Sequence, residues 1–240
     1  MNDLGVDRAR LAADAPHVRA ARWEATLWPA EHAGRPLLVK DVRHAHPLYR
    51  FTVGRWLLAR EARVYARMRE LPFVPHCHGW LDRDGLILER LDAVTLTRYP
   101  EQALLPGFFD QLAAQVAMLH ERFIAHLDLR HRSNILVTRL GEPRIVDFAT
   151  AICLGEHPLR RRLLWPLLAA ADRSGVTKWR MRYFPDHVPE GDRRAYARLQ
   201  RWRWLWPWKL LFDYCKGRGW RGGIAGGKRG GAAQAKAREG

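Results

Sequence analysis

Five side chains in this 240-residue chain have the types and the order that phosphoryl transfer requires. Lys40 closes the apolar run Leu37-Leu38-Val39, a strand pattern from which an ammonium can reach the α- and β-phosphates of a nucleotide. A charge beside apolar strand residues is costly unless paired. Glu61 has the complementary problem, because it falls inside the apolar stripe Leu57, Leu58, Val64, Tyr65 and Met68 of a helix expected over 55–70. One ion pair, Lys40–Glu61, resolves both; the alternative is a snorkelling surface glutamate. Asp128, in the charged loop HLDLRHRSN, can accept or orient the proton of an attacking hydroxyl. Asn134 offers a neutral oxygen ligand six residues on, and Asp147, near the end of RIVDF, a carboxylate suited to Mg²⁺ between phosphates. Singly, each of these Asp and Asn residues is more commonly a turn former or cap, and only the ordered set carries the reading.

The elements that must position them follow from periodicity. RWEATLWPA and RPLLVKDV read as two strands joined by the turn EHAGR, followed by the helix over 55–70. PHCHGWLD and GLILERL form a second strand pair around Asp82-Arg83-Asp84-Gly85. A helix over about 107–123 presents Phe108, Phe109, Leu112, Val116, Leu119 and Phe123 on one face. NILVT and RIVDF form a hairpin around Leu140-Gly141-Glu142-Pro143, and 155–215 is helical in pattern, with Arg173-Ser174-Gly175-Val176 as a turn. The expected class is α+β. Its parts are a lead-in over 1–19, a small β-rich lobe over 20–91, a hinge near Leu91–Asp92, a reduced helical lobe over 92–215, and a disordered basic Gly-rich tail over 216–240.

With these residues in place the sequence resembles the protein-kinase superfamily over approximately 20–155. The strand lysine is Lys40 and the helix glutamate Glu61, while HLDLRHRSN is similar to the catalytic loop and Asp147-Phe148-Ala149 to the metal-binding motif. The departures are specific. Leu127 stands where an arginine usually precedes the catalytic Asp, Asn134 follows one residue late, no APE-like segment is present, and residues 14–26 carry no glycine where the nucleotide lid should lie. They resemble bacterial RIO-like kinases and the lipopolysaccharide kinases that phosphorylate core Kdo and heptose sugars. The resemblance implies a two-lobed protein-kinase-like fold using ATP and Mg²⁺. Lys40 and Glu61 position ATP, Asp128 is the catalytic Asp, and Asn134 and Asp147 are metal ligands. Glu89-Arg90-Leu91 is implied as the adenine-contacting hinge and Arg130 as a γ-phosphate contact. A chain of this fold without catalysis, a pseudokinase, is a further expectation that the missing glycines favour.

Charge and aromatic content bear on the partner. The formal net charge is +16, and half of it falls in residues 200–240, which favours an anionic partner. Seven of eleven tryptophans follow residue 160, six of them interleaved with Arg and Lys in RRRLLWPLL, KWRMRYF and RWRWLWPWKLLF. Two expectations result: peripheral contact of 160–212 with an anionic membrane or glycolipid acceptor, or packing of the tryptophans in the helical lobe. No reader motif accompanies the charge, so nucleic acid is not the expected partner. The acceptor is expected to be a glycolipid sugar or a protein serine or threonine. Three widely spaced cysteines argue against a disulfide framework, and there is no signal-peptide pattern or 18-residue apolar run. The expected location is the cytoplasm, including the inner membrane face. The pairs His44/His46 and His76/His78 lack zinc-site spacing, so no metal is expected there.

Overall fold

The computed structural model describes residues 2–12, 22–105, 107–155 and 158–205, the side chains of residue 160 and of 202–205 excepted. Residues 13–21, which hold most of the expected lid, lie outside it. So do Trp206, Trp208 and the tail from 216, as do the side chains of Trp202 and Trp204. Residues up to Arg201 form one compact unit.

A short helix α1 (Arg8–Ala12) precedes a four-stranded antiparallel sheet of β1 (Thr26–His32), β2 (Arg35–Asp41), β3 (Cys77–Asp82) and β4 (Gly85–Glu89), in the order β1-β2-β4-β3. The β1–β2 turn is set by Ala33 and Gly34, both at positive φ, as a two-residue hairpin of type I′ demands. Side chains alternate along β2. Leu37, Val39 and Asp41 face one way and are fully buried, so Leu38 and Lys40 face the other. The first face packs with Trp28, Leu81 and Ile87 beneath Val6 and Leu11, so residues 4–11 cover the sheet as part of its core. Asp41 on that face is matched by Arg8.

Between β2 and β3 the chain runs through α2 (Pro47–Tyr49), a π-helical turn (Arg50–Gly54) and α3 (Arg55–Ala66). The expected helix over 55–70 therefore begins earlier and ends sooner. Leu58, Glu61, Val64 and Tyr65 form its buried stripe, with buried Met68 just past its end, while Leu57 is only half-buried. After the sheet come β5 (Ala93–Thr95), α4 (Phe108–Glu121), β6 (Ile124–Ala125), β7 (Ile135–Thr138), β8 (Pro143–Ile145) and β9 (Ile152–Cys153). Strands β5, β7 and β8 form one antiparallel sheet, and β6 pairs with β9. Then α5 (Pro158–Tyr183) and α6 (Glu190–Leu205) complete the described chain. One apolar core joins α3, α4, β7, β8 and the second half of α5.

One expectation needs correction, and one open alternative is decided for the described tryptophans. The segment 173–176 is not a turn but the middle of α5. Gly175 is used there because a Cβ would stand 2.8 Å from Leu129 Cβ and 3.1 Å from the Leu129 carbonyl carbon. The described tryptophans of the second half pack inward. Trp179 is 4% exposed and donates to Leu129 O at 2.9 Å, and Trp165 lies edge-on to His120 and Phe123. No helix among the described residues is long and apolar enough to cross a membrane. Cys77 and Cys153 are free thiols.

Candidate active site

Lys40 reaches from the inward face of β2 to two carboxylates that are distant in sequence. Its Nζ lies 2.8 Å from Glu61 Oε2 and 3.1 Å from Oε1, and it donates to Asp147 Oδ1 at 2.8 Å. Glu61 is 1% exposed, so the snorkelling alternative is excluded. Burial pushes the Glu61 carboxyl up, with the Lys40 ammonium pulling the other way. Burial likewise acts to lower the Lys40 pKa, but the charges of Glu61 and Asp147 outweigh it and hold the ammonium protonated well above its ordinary range. At Asp147 the burial effect is again overcome by Lys40, so the carboxyl sits below the usual range and is ionised. Asp147 follows β8 at φ 65°, ψ 75°, a left-handed conformation that non-glycine residues adopt rarely and that recurs at functional sites.

The second cluster is the loop between β6 and β7. Asn134, 1% exposed, donates from Nδ2 to Asp128 O at 3.1 Å and Oδ2 at 3.3 Å, while its Oδ1 accepts from Ser133 Oγ at 3.0 Å. The Val146 amide donates to Asn134 O at 3.1 Å, which ties the loop to the chain entering Asp147. His126, fully buried, bonds Val146 O through Nε2 at 3.0 Å, receives the Asp128 amide on Nδ1 at 3.2 Å, and packs on Phe148. Asp128, Asn134 and Asp147 are thus parts of one hydrogen-bonded assembly, with Lys40 and Glu61 joined to it through Asp147.

What holds this assembly against the helices was not foreseen from sequence. Asp172 on α5, 1% exposed, accepts the His126 amide at 2.8 Å, the Leu127 amide at 2.7 Å and His120 Nε2 at 3.1 Å. Leu127 has φ 65°, and its amide and that of His126 both converge on this one carboxylate. The available signal was the one used for Glu61. Asp172 sits at helical spacing within the buried stripe Ala169, Val176 and Trp179, where a carboxylate needs donors.

Arg130 and the hinge residues make contacts of their own outside this assembly. The Arg130 guanidinium donates to Ser174 Oγ and Tyr196 OH, both at 3.2 Å, and lies over the Tyr196 ring. It therefore braces the loop on α5 and α6. Glu89 ends β4 with its carboxylate accepting the His76 amide at 3.0 Å, and half-buried Leu91 lies on the connection to β5. A cavity of about 410 Å³ is lined by Tyr65, Met68, Pro72, Cys77, Trp80 and the hinge residue Glu89, and by none of Lys40, Glu61, Asp128, Asn134 and Asp147.

The hard oxygen donors of Asp147 and Asn134 fit Mg²⁺, which prefers carboxylate and carbonyl oxygen to nitrogen or sulfur. Lys40 engages Oδ1 of Asp147, and the carboxylate, like the amide oxygen of Asn134, has further lone pairs to offer a metal.

No protein-family model matches the chain, and no curated protein does. Among solved structures it is similar to Rio2 kinase from Chaetomium thermophilum. One is a complex with ADP/Mg²⁺ and phosphoaspartate (TM-score 0.55, 16% identity, covering 76% of this chain and 60% of that one). A second Rio2 kinase structure from the same organism gives a TM-score of 0.52 at 16% identity, covering 79% and 64%. The chain therefore spans about three-fifths of the length of these proteins. The fold is a two-lobed, α+β protein-kinase-like fold resembling that of RIO kinases.

Proposed function

We propose that the chain is an ATP- and Mg²⁺-dependent phosphotransferase acting on a hydroxyl group. The observation that carries this reading is Lys40 bound at once to Glu61 and Asp147, 107 residues apart along the chain in the second case. A buried ammonium shared by two carboxylates is an expensive arrangement unless its charge is used, and phosphates are the ligands that use it. Lys40 positions the α- and β-phosphates, with Glu61 fixing its direction. Asp147 and Asn134 hold the metal, which when bound screens phosphate charge. Asp128, steadied by Asn134 Nδ2, orients the acceptor hydroxyl and takes its proton as the oxygen attacks the γ-phosphorus and the bond to the bridging oxygen breaks, releasing ADP. Glu89 and Leu91 frame the adenine, and the lid function falls to residues 14–26. The reading divides the chain into lobes at about residue 91.

For the acceptor we favour a sugar hydroxyl of an anionic envelope glycolipid. It is supported by Leu159, Leu163, Leu164 and Leu167, exposed along the first half of α5 beside the exposed Arg162, and by the net charge of +16. A protein serine or threonine is the second reading, favoured by the RIO-like fold. The test offers wild type a core-oligosaccharide lipid and a serine/threonine peptide mixture side by side, with γ-labelled ATP and Mg²⁺. Label on the lipid supports the favoured acceptor, and label on peptide replaces it with the second. Label on neither, with ATP bound normally, refutes transfer and leaves a nucleotide-binding pseudokinase.

A further inference from the structure

Outside the cleft, three metal-ligating side chains meet at the β3 edge of the four-stranded sheet. His76 and His78 alone lack zinc-site spacing, but the fold brings the N-terminal segment onto them. Asp3 Oδ2 lies 3.2 Å from His76 Nε2 and Asp3 Oδ1 lies 3.0 Å from His78 Nδ1. All three ligand atoms fall within 4.8 Å of one another. Ligands bound at about 2.0–2.1 Å around a tetrahedral ion stand about 3.3 Å apart. Two edges of such a tetrahedron are therefore already near length, and a small ring rotation supplies the third.

The backbone fixes all three positions without help from an ion. The Asp3 amide donates to His78 O at 2.9 Å, and Asn2 bridges to Gly79. Asn2, 9% exposed, donates to Trp80 O and Val6 O and accepts the Val6 amide, which closes the segment into a loop against β3. His78 is the extra residue of a bulge, since Cys77 pairs with Leu88 and Gly79, at φ 100°, with Ile87. Such a bulge re-aims a side chain, and here it sets the His78 ring edge-on to His76 at 4.7 Å.

We propose that Asp3, His76 and His78 bind a divalent transition-metal ion of the zinc type, with the fourth position left to water. Two imidazoles and one carboxylate suit zinc and its neighbours and disfavour Mg²⁺. The ion staples residues 2–6 to β3. It also braces the end of β4, because the His76 backbone exchanges hydrogen bonds with Glu89. The competing account is a hydrogen-bonded latch in which the carboxylate alone holds the two rings.

The test is calorimetric titration of untagged, chelator-stripped full chain with Zn²⁺, and with Mg²⁺ as control. Variants are Asp3→Asn, His76→Ala and the double change His44→Ala/His46→Ala. Asp3→Asn keeps the side-chain shape but is a poor zinc ligand, and His76 is exposed enough to truncate without disturbing the core. Circular dichroism in chelator checks the fold of each. The expected result is one Zn²⁺ per chain, no comparable Mg²⁺ binding, and a loss of at least about tenfold in affinity in Asp3→Asn and His76→Ala. The double variant should bind as wild type does, and Zn²⁺ should raise the melting temperature of wild type but not of Asp3→Asn. No saturable Zn²⁺ binding, or an affinity unchanged in Asp3→Asn and His76→Ala, overturns the proposal. The latch is then the correct account.

Discussion

Replacing Gly175 by alanine adds one methyl group where α5 lies against the loop that carries Asp128. The new Cβ would stand 2.8 Å from Leu129 Cβ, 3.1 Å from the Leu129 carbonyl carbon and 3.3 Å from the Arg130 amide nitrogen. Carbon contacts are comfortable at about 3.5–4.0 Å, so helix and loop must separate by about 0.7 Å or more. Two hydrogen bonds cross this junction: Trp179 Nε1 to Leu129 O at 2.9 Å and Lys178 Nζ to Arg130 O at 2.8 Å. Stretched by that amount, each leaves the hydrogen-bonding range and forfeits about 1 kcal/mol. Alanine returns about 1 kcal/mol of helix propensity. With overpacking strain of about 1–3 kcal/mol, the net loss is about 2 kcal/mol or more. At about 2–4 °C per kcal/mol this lowers the melting temperature by about 4–8 °C, measurable by differential scanning fluorimetry. Transfer should fall by about 10²-fold through displaced Asp128, with ATP affinity nearly unchanged because Lys40, Glu61 and Asp147 lie apart from the junction. A melting temperature equal to or above wild type would refute the reasoning, since helix propensity would then have outweighed a contact that is not rigid.

Other substitutions probe the buried charges. Lys40→Met leaves Glu61 without its counter-charge; we expect a loss of about 3 kcal/mol at pH 7 that shrinks as the pH falls and Glu61 protonates, read as melting temperature against pH. Asp84, buried between Arg50 and Arg55, has its burial effect overcome by their hydrogen bonds and its pKa lowered to about 2. A depressed carboxyl contributes stability above its unfolded pKa and loses it as the pH falls through the folded one. Asp84→Asn should therefore cost about 2 kcal/mol at pH 7, and acid titration of stability should show the two proteins converging between about pH 4 and pH 2. Asp172→Asn presents an amide N–H₂ where a carboxylate accepts two backbone amides; exchange protection at His126 and Leu127 should collapse, with a stability loss of about 1–3 kcal/mol. Retained protection would mean that Asp172 does not hold the loop.

The sequence disclosed those parts of the site whose burial conflicts with their chemistry. Lys40 in a strand and Glu61 in an apolar helical stripe are each anomalous alone and resolve only as a pair, and the structure pairs them. Strand alternation, the Ala33-Gly34 turn and the stripe on α4 were local signals of the same kind. Long-range features were harder to see. Gly175 resembles a helix breaker until Leu129 is known to press against it. The role of Arg130 depends on Ser174 and Tyr196, which lie 44 and 66 residues away. His76 and His78 gain a carboxylate only because residues 2–6 fold back onto β3. Asp172 carried the same stripe anomaly as Glu61, but its amide partners are backbone groups that leave no mark in sequence.

The central claim is that Lys40, Glu61, Asp128, Asn134 and Asp147 form a nucleotide–metal site, and the most direct measurement is ATP affinity with and without Mg²⁺ in wild type and Asp147→Asn. The substitution keeps the size of the side chain and the Lys40–Glu61 pair but also takes a counter-charge from Lys40, so the Mg²⁺ dependence rather than the affinity itself reports on the metal ligand. We predict that Mg²⁺ tightens ATP binding to wild type and that this tightening disappears in Asp147→Asn, with metal-free affinity little changed. ATP binding that is absent, or equally sensitive to Mg²⁺ in both proteins, would contradict the claim.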